Sequence, residues 1–62
     1  MKRIYQAVSI DYESKQYTGT YYVESGIVNV LYLGSKESSH LSGNSEWLAK
    51  RILEKMVQKE LQ

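Results

Sequence analysis

"TGTYYVESGIVNVLYLG", residues 18–34, gathers Tyr21, Tyr22, Val23, Ile27, Val28, Val30, Leu31, Tyr32 and Leu33 into one short segment. Aromatic and β-branched residues at this density suit a pleated surface. Ser25-Gly26 in the middle supplies the positive φ that a tight hairpin turn requires. The segment therefore reads as two antiparallel strands, about residues 17–24 and 27–33. A two-residue turn sets Val23 opposite Val28, Tyr21 opposite Val30 and Gly19 opposite Tyr32, so one face collects aliphatic side chains. The bulk exceeds what one face needs, and the other face is left with tyrosine and leucine of its own.

Working outward, "IYQAVSIDY" (residues 4–12) alternates with Ile4, Val8, Ile10 and Tyr12 on one side, which predicts a first strand over about residues 3–12. The polar "ESKQ" (residues 13–16) reads as a break centred on Ser14-Lys15, which sets Tyr12 against Tyr17, Ile10 against Gly19 and Val8 against Tyr21. Gly34-Ser35 is a second turn signal, so "KESSHL" (residues 36–41) returns as a short polar fourth strand, the one strand the fold could lack. That register sets Val28 opposite Leu41 and Val30 opposite Ser39. The polar edge resists pairing with stray chains. In "SGNSEW" (residues 42–47) Asn44 or Ser45 can cap a helix and Glu46 favours its positive end. The remaining chain has no Gly or Pro and predicts a helix over about residues 45–61. Its core stripe is Leu48, Ala49, Ile52, Leu53 and Met56. The expected fold class is α+β: a single domain over residues 1–62, with a four-stranded antiparallel meander and one C-terminal helix across one face. Gly26 is expected at positive φ, and Gly19 is expected to face the helix.

A chain of 62 residues is near the lower limit for a self-sufficient core. It has no cysteine and a lone His40, so disulfides and thiolate metal sites are excluded and no cofactor is expected. Association with a second copy is the remaining common route to stability, and a homodimer is the expected partner arrangement. The net charge of +1 and pI near 8.0 are less basic than dedicated nucleic-acid modules. Met1-Lys2-Arg3 leads into alternation instead of an apolar run, so no signal peptide is expected. Nothing approaches the roughly 20 apolar residues of a membrane span, and the expected location is cytoplasmic.

The sheet face away from the helix is expected to carry the rows Tyr5, Glu24, Ile27; Ala7, Tyr22, Asn29, His40; Ser9, Thr20, Leu31, Ser38; and Asp11, Thr18, Leu33, Lys36. Tyrosine-rich and thinly charged at its centre, it has the composition of a contact surface. The candidate interface residues are Tyr5, Tyr22, Asn29, Leu31, Leu33 and His40, with Trp47 on the helix. His40 beside Asn29 and Tyr22 could bind a small polar ligand, although an ordinary exposed strand histidine accounts for it as well. Asp11 and His40 fall at opposite edges, too far apart to serve as orienter and base, so no catalytic residue is assigned and no enzyme is expected. Arg51, Lys55 and Lys59 recur every four residues and place like charges on one helix flank. That flank is either a phosphate or acidic-partner track or simply a solvated surface. Trp47, Val57 and Leu61 are expected on the outer side of the helix.

"GTYYVESGIVNVLYLGSK" followed by "LSGNSEWLAKRILEKM" resembles small uncharacterised bacterial and phage-associated proteins with the pattern "G-x-Y-x-V-x-x-G-x-V-x-V", a glycine turn and an "L-A-x-x-L-L" helix. Gly19, Tyr21, Val23, Gly26, Val28, Val30, Leu48, Ala49, Ile52 and Leu53 carry the likeness over about two thirds of the chain. The resemblance implies the sheet-and-helix fold and no activity. The architecture is also similar to the DNA-binding domains of phage integrases, which lay a three-stranded sheet in the major groove. Here the open face offers only Lys36 as a central cation, and a fourth strand is expected. The function expected is a self-associating, non-enzymatic protein-interaction module, with a nucleic-acid-binding accessory or regulator as the alternative.

Overall fold

The computed structural model describes residues 4–61. Alternation builds four strands, β1 (Gln6–Tyr12), β2 (Lys15–Glu24), β3 (Ile27–Tyr32) and β4 (Ser35–His40), followed by one helix, α1 (Ser45–Glu60). The strands pair antiparallel in the order β1-β2-β3-β4, and α1 lies across one face, which makes the fold α+β. Ile4 and Tyr5 precede β1, and Arg3, where the first strand was expected to begin, lies outside the described residues.

Three two-residue turns set the register. Each has positive φ at both positions: Glu13 (52°) and Ser14 (66°), Ser25 (53°) and Gly26 (74°), Leu33 (49°) and Gly34 (79°). Such turns match the right-handed twist of the strands they join. The Ser25-Gly26 hairpin is as expected, with Val23 opposite Val28 and Tyr21 opposite Val30. The outer two registers differ from expectation by two residues each. Tyr12 pairs with Lys15, not Tyr17, because Glu13 and Ser14 accept a tight turn and free Lys15 and Gln16 to extend β2. Val28 pairs with Ser39, not Leu41, because Gly34 takes the second turn position and pushes Leu33 into the first. Leu41 instead donates its backbone N–H to the Gly26 carbonyl at 2.8 Å, which ties the end of β4 to the central turn. Each slip is even, so the side chains that remain within the strands keep their expected faces, while Leu33 passes into the turn and Leu41 beyond the end of β4.

Val8, Tyr21, Val28 and Val30 pack on Ala49, Ile52, Leu53, Met56 and Val57, with Ile10, Tyr12, Tyr17, Tyr32 and Leu48 around them. Two residues depart from expectation. Val57, expected on the outer side, is 0% exposed: it lies four residues beyond Leu53 and eight beyond Ala49, so it continues their row. Val23, expected in the core, is 42% exposed, because it sits at the last rungs of β2 beside the central turn, at the end of the core cluster. Asn44 is the N-cap, its side-chain oxygen accepting from the Trp47 N–H at 2.9 Å, and Glu46 lies in the first turn. Gly19 faces α1: a Cβ there would meet Leu53 Cδ1 at 3.1 Å and the Leu31 carbonyl at 3.0 Å.

The Glu13-Ser14 turn holds two non-glycine residues in the left-handed region without a glycine to relieve it. Replacing the pair by Asn-Gly is expected to stabilise the fold by about 1–2 kcal/mol. A urea midpoint that does not rise would show that this turn carries no strain.

Candidate functional site

The observed register rebuilds the open sheet face row by row. Tyr5, extended one pair beyond β1, reaches Tyr22; their rings meet edge to face with centroids 5.2 Å apart and planes at 67°. Next to Tyr22 on β3 is Asn29, and next to Asn29 on β4 is Ser38. Ser38 Oγ donates to Asn29 Oδ1 at 2.6 Å, and Asn29 Nδ2 donates to the Ile27 carbonyl at 3.1 Å. Asn29 is buried, and these bonds satisfy its amide at both ends. Tyr22 is only 5% exposed despite lying on the face opposite the helix. A ring and an amide covered by their own neighbours form a stiff ridge across the sheet.

Around this ridge lie Thr20, Leu31 and Lys36 in one row and Glu24, Ile27 and His40 in another. Ser9 and Thr18 join hydroxyls at 3.1 Å on the β1 side. The charged members, Asp11, Glu24 and Lys36, stand at the margins, while the centre is tyrosine, leucine, threonine and serine.

The expected cluster of His40 with Asn29 and Tyr22 does not form. The two-residue slip puts Ser38 beside Asn29 and moves His40 opposite Ile27, where it is exposed. Tyr5, expected beside Glu24, is beside Tyr22 for the same kind of reason. Of the candidate interface residues, Tyr5 is exposed, Leu31 is half-buried and Leu33 is exposed in its turn. Tyr22 and Asn29 brace the surface from within. Asp11 and His40 lie on β1 and β4, the two edges of the sheet.

Trp47 is 58% exposed on α1, with the Arg51 guanidinium 5.5 Å from its ring centroid, in cation–π range. It does not gather a hydrophobic patch with Val57, which is buried in the core. Arg51, Lys55 and Lys59 border a groove of about 360 Å³ between α1 and β4, floored by Leu48, Ile52 and Met56 and walled by Glu37, Ser38 and Ser39. Among the described residues, no ion pair engages any of the three cations; on α1, Glu46 pairs with Lys50 at 3.6 Å. Sequence reasoning had the basic row but not the opposing wall. Period two alone places Glu37 and Ser39 on the helix side of β4, and that signal was available.

The chain matches no protein-family model, no curated protein and no solved structure. Among the described residues no group of three His, Cys, Asp or Glu side chains is placed to hold a metal ion, and no helix is long and apolar enough to cross a membrane.

Proposed function

We propose that this protein is a binding module that works by self-association, with the open sheet face as the contact between two copies. The observation that carries this reading is the face itself. It is uncovered by α1, braced by the buried Tyr22 and Asn29, and bordered rather than centred by charge, the composition of an interface core. The helix side is the weaker contact surface, since burial of Val57 leaves Trp47 and Leu61 as separate exposed residues. A two-fold arrangement uses one patch twice and closes on itself. Binding rather than catalysis is favoured by the separation of Asp11 and His40 to opposite edges. Lys36 is the one Lys or Arg among the described positions of the open face, which gives a groove-reading sheet little hold on phosphate.

Sedimentation at tens of micromolar is expected to show two 7.2 kDa chains moving together. Leu31→Lys, which sets a charge at the centre of the face without touching the helix core, is expected to weaken the dimer at least about a hundredfold and return it to monomer. A monomeric unmodified protein overturns self-association; a dimer indifferent to Leu31→Lys overturns the sheet-face contact.

A further inference from the structure

A second surface of different chemistry lies on the other side of the sheet. β4 is an edge strand, so one side of its backbone faces no further strand among the described residues. Its sequence, Ser35–His40, is polar and exposed throughout, but it carries neither the proline nor the bulge that would block a further strand. Directly above this edge, α1 overhangs with Arg51, Lys55 and Lys59, and the groove between them is floored by Leu48, Ile52 and Met56. The groove continues toward the β3–β4 turn, where Tyr32, Ser35 and Glu37 face Lys59. Arg51, Lys55 and Lys59 therefore outnumber the two carboxylates of this opening, Glu37 on its wall and Glu60 at its far end beside Lys59, next to a strand edge. A row of like charges at intervals of four costs the isolated helix a few tenths of a kcal/mol per pair, so helix stability does not account for it.

The spacings of helix and strand select the occupant. Residues four apart on a helix rise about 6 Å, and residues two apart on a strand advance about 6.8 Å. Carboxylates at alternate positions of an extended chain laid against β4 therefore keep step with Arg51, Lys55 and Lys59. We propose that β4 accepts an extended acidic peptide segment as a fifth antiparallel or parallel strand, with its alternate Asp or Glu side chains turned into the groove against these three cations. Backbone pairing to β4 supplies the attachment, and the basic row supplies the choice of partner. The polar edge then works as a filter, since a chain without matching acids meets unpaired cations and serine hydroxyls instead of apolar surface. A nucleic acid strand is the less favoured occupant, because Glu37 sits in the groove wall and Arg51 already covers the Trp47 ring on which a base would stack. The surface is separate from the open sheet face and does not depend on self-association.

The test is fluorescence anisotropy with a fluorescein-labelled peptide of alternating Glu and Val long enough to run the length of β4, at low salt. Micromolar binding is expected. The same peptide N-methylated at alternate amides is expected to lose it, since strand addition needs those N–H groups. Reversal of the row, Arg51→Glu with Lys55→Glu and Lys59→Glu, is expected to weaken the Glu-Val peptide at least about tenfold and to create binding of a Lys-Val peptide. That gain cannot come from a misfolded variant. Leu31→Lys is expected to leave peptide binding unchanged, so failure of this reading and failure of the dimer are distinguishable. The proposal is overturned if the unmodified protein ignores the peptide, if the N-methylated peptide binds equally, if charge reversal does not switch the preference, or if oligothymidylate binds more tightly than the acidic peptide.

Discussion

Leu53→Ala is expected to leave the protein largely unfolded at room temperature. Leu53 is 0% exposed, lies at the centre of the α1 core stripe and faces the bare backbone of Gly19. Truncating a leucine at such a site costs about 3–5 kcal/mol, the lost transfer energy plus the cavity left behind. A single core in a chain this short rarely supplies more than about 3–5 kcal/mol in total. One side chain therefore weighs about as much as the whole margin, and circular dichroism should show loss of helix and sheet together. Leu48→Ala, at the half-buried rim of the same helix, is the control and should lose much less. If Leu53→Ala melts within about 1 kcal/mol of the parent, α1 is not docked where the structure puts it.

Gly19→Val should be nearly as damaging, for the opposite reason. The position has no spare volume, as the 3.0 Å and 3.1 Å approaches of the Leu31 carbonyl and Leu53 Cδ1 to a built Cβ show. The leucine methyl can rotate away, but the carbonyl belongs to the β2–β3 ladder and cannot retreat without breaking it. Overpacking here is expected to cost about 3 kcal/mol. The two substitutions should also be non-additive, since Leu53→Ala removes one of the two clashes. Strict additivity in urea denaturation would mean that Gly19 and Leu53 do not meet.

The Gly19 contact was foreseeable because strand period two, read outward from Ser25-Gly26, puts Gly19 on the same face as Tyr21 and Val8. The partner across from it was not. The expected neighbour was Ile10; the observed one is Val8. The difference arose at Glu13-Ser14, where the residue types give no reason to expect two consecutive positive φ angles. At Gly34 the residue type does carry the signal: with glycine second, as in Ser25-Gly26, the turn begins at Leu33. Val57 continues the row of Ala49 and Leu53, one residue beyond Met56, where the expected stripe ended. For the candidate sites, the open face and the basic row were legible as faces, while the His40 cluster was lost because it depended on which residue stood opposite which.

Composition and periodicity by themselves determined the element types, the antiparallel meander, a helix cap at Asn44 or Ser45 and the face of the sheet on which each strand side chain lies. These are local properties: alternation and 3.6-residue spacing act within a single segment, and an error of two residues in register leaves a face unchanged. Only the tertiary structure decided the rungs of the outer hairpins, the burial of Tyr22 and Asn29 on the open side, and the meeting of the Arg51 row with the β4 edge. Those depend on how tightly two turns close and on where the helix comes to lie over the sheet. Both are settled by the sum of contacts across the core, in which a strained turn is tolerated because the strands it aligns pack better.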